Sequence, residues 1–187
     1  MKLSLTIGWL YPELMSTYGD RGNIIALQKR CEWRGIAVKI EHISPDTKSQ
    51  ILNTCHLLFM GGAQDTQQEI VNSDLFENKG SVLKEKIEQG VPGLFICGAY
   101  QFMGKYYKTA DGKKLPGLSI FPCYTENPGE SSLRLIGNII VKSNKLASRQ
   151  MLNMSSNLVG FENHGGRTYL DDNNISFGKV LRGFGNN

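Results

Sequence analysis

Cys97 is the residue in this chain whose surroundings most invite chemistry. In GLFICGAYQFMG (93–104), Gly93 to Ile96 read as a short buried strand and Tyr100 to Met103 open a helical pattern, so the sulfur falls on the turn between them. A thiol attacks as its thiolate, and a strand-to-helix turn exposes the sulfur near the positive end of a helix. Such a turn crowds its neighbours, which predicts residues as small as Gly98 and Ala99. Phe95, two residues earlier, is larger than the usual elbow pattern permits. Acyl transfer also demands donors for a developing oxyanion, and the backbone N–H groups of Gly98 and of Gly62 in MGGAQDTQQE suit that role. On composition alone both glycine turns read equally well as plain strand ends.

Cysteine chemistry of this kind needs an imidazole to take the thiol proton and return it to the leaving group. The chain has three histidines, His42, His56 and His164. His42 lies in an early strand and His56 precedes LLFM at the wrong end of its strand, so both read as structural or surface residues. His164 in ENHGGRT, polar and glycine-rich, is the remaining choice.

The elements that must position these groups are legible. MKLSLTIGWLY reads as a first strand, with Ser4, Thr6 and Gly8 interrupting any signal-peptide pattern. STYGDRGNIIALQKRCEWRG follows as a helix, with Asp20 as cap, Ile24, Leu27 and Cys31 at helical spacing and Gly35 as stop. IAVKIEHIS and HLLFMGG read as strands, SVLKEKIEQG as a helix and VPGLFIC as a further strand. This alternation predicts an α/β fold whose mostly parallel sheet is covered on both faces by helices, with ligands at the strand C-terminal ends. Gly61–Gly62 and Gly98–Ala99 occupy two such ends and face one crevice if their strands are neighbours. Beyond residue 105, shorter apolar pieces such as RLIGNIIV predict antiparallel additions.

Composition narrows the function classes. The 187 residues, 40% hydrophobic, suffice for one domain with a real core. A net charge of +4 without a basic run gives no nucleic-acid or membrane surface. No stretch approaches the roughly 18 apolar residues of a membrane helix, so the chain reads as cytoplasmic. Cys31, Cys55, Cys97 and Cys123 show no C-x-x-C pair and no histidine at ligand spacing, which speaks for reduced thiols and against structural zinc. No G-x-x-x-x-G-K-[ST] loop appears, and no cofactor is expected.

Taken together, MGGAQDTQQE, ICGAYQFMG, YGDRGNI and GFENHGGRT resemble the class I glutamine amidotransferase subunits (GatD) of lipid II isoglutaminyl synthases, in the CobB/CobQ-like glutaminase family. More distant similarity extends to cobyric acid synthase glutaminase domains. The resemblance implies that Cys97 attacks the side-chain amide of glutamine, releasing ammonia and leaving a glutamyl thioester for water to hydrolyse. It also implies Gly62 and Gly98 at the oxyanion, with Gln101 and Arg134 binding substrate. A guanidinium at Arg134 suits a two-pronged grip on a carboxylate, although an isolated arginine there would otherwise read as a solvated side chain. Where relatives show CGGYQ, this chain has Ala99.

The resemblance implies a catalytic histidine further along, in a TYLHGP-like segment, whereas these residues end at GFGNN. The expectation is therefore one glutamine amidotransferase domain over residues 1–187, apparently truncated at its C-terminus, nearly inactive as it stands, with His164 in a structural or partner-facing role. The implied partner is a Mur-ligase-like subunit, MurT, forming a lasting heterodimer and using the ammonia to convert D-glutamate of lipid II to D-isoglutamine. The rival readings are an amidotransferase for cobyric acid or another ligase, a non-catalytic scaffold, and a redox cysteine, which lacks a resolving partner.

Overall fold

A computed structural model describes residues 3–17, 19–129, 131–143, 157–171 and 176–186. Strand β1 (Ser4–Leu10) lies between two parallel neighbours, and its last four residues are buried, Ile7 and Leu10 fully. Helix α1 (Arg21–Glu32) carries the chain to β2 (Ala37–Ile43), and a 3-10 segment (Ser49–Thr54) returns it to β3 (Leu57–Met60). Helices α2 (Asp65–Asp74) and α3 (Gly80–Glu88), joined by one π-helical turn (Leu75–Lys79), lead to β4 (Gly93–Phe95). The sheet order is β2-β1-β3-β4, all parallel.

The order reverses between β1 and β3, so the two faces receive different cover. Ile24 of α1 packs with Ile7, Trp9 and Phe59 on one face. Leu52, Val71, Leu75 and Leu83 pack with Leu10, Ile43, Leu58 and Met60 on the other. Asp20 stands at the predicted N-cap of α1 but makes no side-chain capping bond, because its carboxylate accepts the Gly62 N–H at 3.1 Å instead. The strand expected to be buried at 93–96 is only partly so. β4 is paired with β3 alone among the described residues, and Leu94 is 39% exposed.

A buried ionic knot ties the second face together. Lys79 Nζ, fully enclosed, donates to Asp74 Oδ2 at 2.7 Å and to the Pro45 carbonyl at 2.9 Å. Tyr11 OH and Asn78 Nδ2 donate to the same carboxylate at 2.7 and 2.8 Å. The π-helical turn places Lys79 where a regular turn would not, and the knot ties α2 and α3 to the loop after β2 through Pro45 and to the loop after β1 through Tyr11.

Two smaller sheets follow helix α4 (Gly98–Met103). β5 (Tyr106–Lys108) and β6 (Lys114–Pro116) form a hairpin, β7 (Cys123–Glu126) runs parallel to β5, and β10 (Arg167–Leu170) closes that sheet antiparallel to β7. β8 (Leu135–Ser143), β9 (Asn157–His164) and β11 (Gly178–Arg182) form the predicted antiparallel addition, ordered β11-β8-β9. The segment GFENHGGRT thus crosses from one small sheet to the other, with Gly165 and Gly166 as the joint. A Cβ on Gly166 would stand 2.8 Å from Thr125 Cγ2, so the joint accepts only glycine without rearrangement. Among the described residues no helix is long and apolar enough to cross a membrane.

Candidate functional site

Cys97 leaves β4 two residues after its end and is the N-cap of α4, with φ 54° and ψ −113°. A non-glycine residue with positive φ is strained, and here the strain turns the thiol outward: Cys97 is exposed while Gly98 and Ala99 are buried. α4 runs only six residues, so it offers first-turn N–H groups more than a long dipole. Among the described residues the Gly98 N–H meets no hydrogen-bond acceptor.

The thiol opens into a cleft of about 410 Å³ that Gln68, Gln101, Arg134, Asn163 and His164 also line. β3 and β4 are neighbours, so the two glycine turns do lie side by side. Gly62, however, is buried with its N–H given to Asp20, and it is Ala63 that reaches the cleft wall. The expected second oxyanion donor is therefore engaged within the fold in this structure. A Cβ on Gly61 would meet Met15 O at 2.3 Å and Asp20 Cγ at 2.5 Å, which explains why this turn is made of glycine.

Gln101 lines the cleft as expected, and its Oε1 is buried without a partner among the described residues. Gln68 occupies the opposite wall and was not singled out in the sequence. It is 3% exposed, its Nε2 donates to the Ala63 carbonyl at 3.0 Å, and its Oε1 also lacks a partner. Buried acceptors of this kind are rare and expensive to leave unmade, and two of them on one cleft suit a ligand that brings N–H donors. The only sequence signal for Gln68 was the polar start of α2 directly after paired glycines.

Arg134, just before β8, reaches the cleft with Nε donating to Asn163 Oδ1 at 2.6 Å and Nη2 donating to the Asn163 carbonyl at 3.3 Å. His164 ends β9 with Nδ1 3.0 Å from the Gly166 carbonyl and Nε2 3.2 Å from Glu162 Oε2. Both ring nitrogens thus face acceptors within the same small sheets. Glu162, 6% exposed, also accepts the Phe184 and Gly185 N–H groups at 2.7 and 2.9 Å. Burial alone would raise its pKa, but those two amides and His164 outweigh it and hold the carboxyl below its ordinary value. Arg167 completes the frame by donating to the Gly165 carbonyl at 2.7 Å and the Leu133 carbonyl at 3.0 Å.

The other groups weighed in the sequence sit apart from this cleft. His56 Nδ1 accepts the Thr6 N–H at 2.9 Å, and the His42 ring meets Trp9 edge-on at 5.2 Å. No disulfide joins the four cysteines. Cys55 and Cys123 are buried, and burial raises the pKa of each thiol. Among the described residues no cluster of histidine, cysteine and acidic side chains could hold a metal ion.

Comparison with known proteins finds relatives over nearly the whole chain. Residues 6–187 match the CobB/CobQ-like glutamine amidotransferase domain. The chain is 42% identical over 183 residues to the lipid II isoglutaminyl synthase (glutamine-hydrolyzing) subunit GatD of Staphylococcus aureus, covering 98% of this chain and 69% of that protein. It is 37% identical over 183 residues to the corresponding subunit of Streptococcus pneumoniae, covering 98% and 66%. The chain thus spans about two thirds of the length of these curated relatives. A solved glutamine amidotransferase superposes with a TM-score of 0.54 at 14% identity, over 89% of this chain and 75% of that one, which shows a shared fold. A parallel sheet of this order, a strained cysteine elbow and a family match over nearly every residue converge: the chain belongs to the CobB/CobQ-like glutamine amidotransferase domain family.

Proposed function

We propose that this chain is the glutaminase subunit of a lipid II amidating enzyme, with Cys97 as its nucleophile. The observation that carries the reading is the exposed thiol on a positive-φ elbow, opening into a polar cleft that Arg134 also lines. The Cys97 thiolate attacks the side-chain carbonyl carbon of glutamine, and the oxygen takes up the negative charge. The Gly98 N–H is positioned to receive that oxyanion, and such a donor is worth about 3–4 kcal/mol in the transition state. Gly62 joins it only if its N–H is released from Asp20.

Collapse of the tetrahedral adduct breaks the C–N bond, the nitrogen leaves as ammonia after protonation, and water then cleaves the thioester to glutamate and free thiol. Arg134 takes the α-carboxylate of the substrate, and Gln101 offers its unpartnered Oε1 to the α-ammonium. His164 serves as a brace, since both its nitrogens are engaged by Glu162 and Gly166. The proton carrier for Cys97 is therefore assigned to another group.

The names of the S. aureus and S. pneumoniae relatives support lipid II as the acceptor system. Amidation of a carboxylate needs an activated acyl group, and the chain shows no P-loop for ATP, so the acceptor chemistry belongs to a Mur-ligase-like partner, MurT, in a heterodimer. A protected passage between the two sites keeps ammonia from water and protons.

The test is a comparison of the full-length subunit with its Cys97→Ala variant, each with the partner ligase. Glutamine-dependent amidation is lost in the variant, while amidation driven by added ammonium chloride persists. Retention of glutamine-dependent turnover without the thiol would remove Cys97 from the reaction.

A further inference from the structure

We infer that Asn163 is a positioning residue that sets which edge of Arg134 meets the substrate. The inference rests on the glutaminase reading above and accounts for a motif, GFENHGGRT, that the reaction itself leaves without a role.

Arg134 is exposed, and an exposed arginine samples many rotamers. Asn163 removes that freedom from two directions at once. Its side-chain Oδ1 accepts from Nε at 2.6 Å and its backbone carbonyl accepts from Nη2 at 3.3 Å, so one side of the planar guanidinium is occupied by a single residue. Of the five N–H donors, the two on Nη1 and the second on Nη2 are left by Asn163. Those donors form the end of the fork, so a carboxylate is received end-on, on the edge adjacent to the one Asn163 holds.

The rest of the motif holds Asn163 in place. Glu162 before it is clamped under the turn at 183–186 by the Phe184 and Gly185 N–H groups. His164 after it spans Glu162 and Gly166, and Arg167 grips the Gly165 and Leu133 carbonyls. Leu133 is the chain neighbour of Arg134, so the same arginine clamp fixes the backbone from which Arg134 extends. Gly165 brings no side chain against Nη1, where an added Cβ would stand in ordinary contact at 3.6 Å, and Arg134 lines the cleft. The motif is thus a frame for one guanidinium, with Asn163 as its contact point.

The test uses Cys97 as reporter, which requires no turnover. The full-length protein is treated with the chloromethyl ketone analogue of glutamine, which keeps the α-carboxylate, and separately with iodoacetamide, which lacks one. In Asn163→Ala the half-saturating concentration of the analogue rises about tenfold, the cost of ordering a rotamer-rich side chain on binding. Its limiting rate and the iodoacetamide rate stay unchanged. Arg134→Ala weakens the analogue further, and adding Asn163→Ala to it has no additional effect.

Asn163→Asp supplies a second reading should the alanine variant fold poorly. It keeps the acceptor on Nε but neutralises the guanidinium, so the analogue again weakens while iodoacetamide does not. An unchanged half-saturating concentration in both variants overturns the inference. So does a parallel fall with both reagents, which would mark a general disturbance of the elbow. If the unmutated protein shows no preference of the analogue for Cys97 over Cys31 and Cys123, the glutaminase reading fails first, and this separates the two.

Discussion

The Gln68 side chain lies so close to Gly98 that a Cβ built on that glycine would stand 2.7 Å from Gln68 Nε2 and 2.8 Å from its Cδ. Gln68 cannot swing aside cheaply, because it is 3% exposed and its amide is bonded to the Ala63 carbonyl. Gly98→Ala is therefore expected to cost about 1–3 kcal/mol as an overpacking change. For a chain of this size that lowers the melting temperature by about 2–12 °C. The same variant should react more slowly at Cys97 with the glutamine-like chloromethyl ketone. Adding Gln68→Ala should recover part of the lost stability, and a purely additive loss would separate the two positions.

Thiol reactivity should rank by exposure. Cys97 is exposed, Cys31 is intermediate, and Cys55 and Cys123 are buried with pKa values raised by that burial. Brief iodoacetamide treatment of the native protein at neutral pH, followed by peptide mass mapping, should find Cys97 modified first and Cys55 and Cys123 protected. Denaturant should abolish the ranking. Early labelling of Cys123 would contradict the packing described.

The Lys79–Asp74 pair should be costly to break from one side. Lys79→Met removes the cation from a buried carboxylate that Tyr11 and Asn78 alone cannot compensate. The expected loss is about 3–5 kcal/mol by urea unfolding, and the double variant Lys79→Met with Asp74→Leu should lose less. Burial pushes the Asp74 pKa up, but the bonds from Lys79, Tyr11 and Asn78 win and hold it below 3.8. The folded carboxyl is thus more acidic than the unfolded one. Its stabilisation is complete above the unfolded value and disappears as pH falls through the depressed folded value.

Glu162 makes a parallel acid-sensitive contribution in the small sheets. Glu162→Gln places an amide donor where the Phe184 and Gly185 N–H groups need acceptors. At pH 7 the variant should unfold at lower urea concentration than the parent. Because the parent's carboxyl is held below 4.5, its advantage should persist down to that pH and shrink as pH falls further and the carboxylate is protonated. A difference independent of pH would mean that the charge of Glu162 contributes nothing.

Legibility in the sequence followed the range of the interactions. The parallel core was readable because β3 is a bounded apolar run, β1 carries Leu5, Ile7 and Trp9 at alternate positions, and the turn after α1 contains Gly35, whose φ of +69° only glycine adopts freely. The elbow was readable because its crowding imposes small residues next to Cys97. Helix α2 had no comparable signal, since its polar run DTQQEIVNSD hides a single buried stripe through Gln68, Val71 and Leu75.

The site was legible only in part for the same reason. Cys97, Gln101 and Arg134 do meet on one cleft. The use of Gly62 by Asp20 could not be foreseen, because it depends on two loops 42 residues apart. Asn163 was visible as a motif letter but not as a partner of Arg134, which lies 29 residues away and is brought close by the β8–β9 register that pairs Ile136 with Asn163. The expectation that His164 is structural gains support from a geometry that composition could not supply, two acceptors facing one ring.

The backbone at Cys97 has a consequence for evolution and engineering. A residue with φ 54° and ψ −113° would be more at ease as glycine, so surrendering the sulfur would relax the turn. Selection for endurance to heat alone would thus drift toward a sturdier but chemically silent descendant. Any library screened for thermal resilience needs a simultaneous demand on reactivity, or this position will be among the first to be traded away.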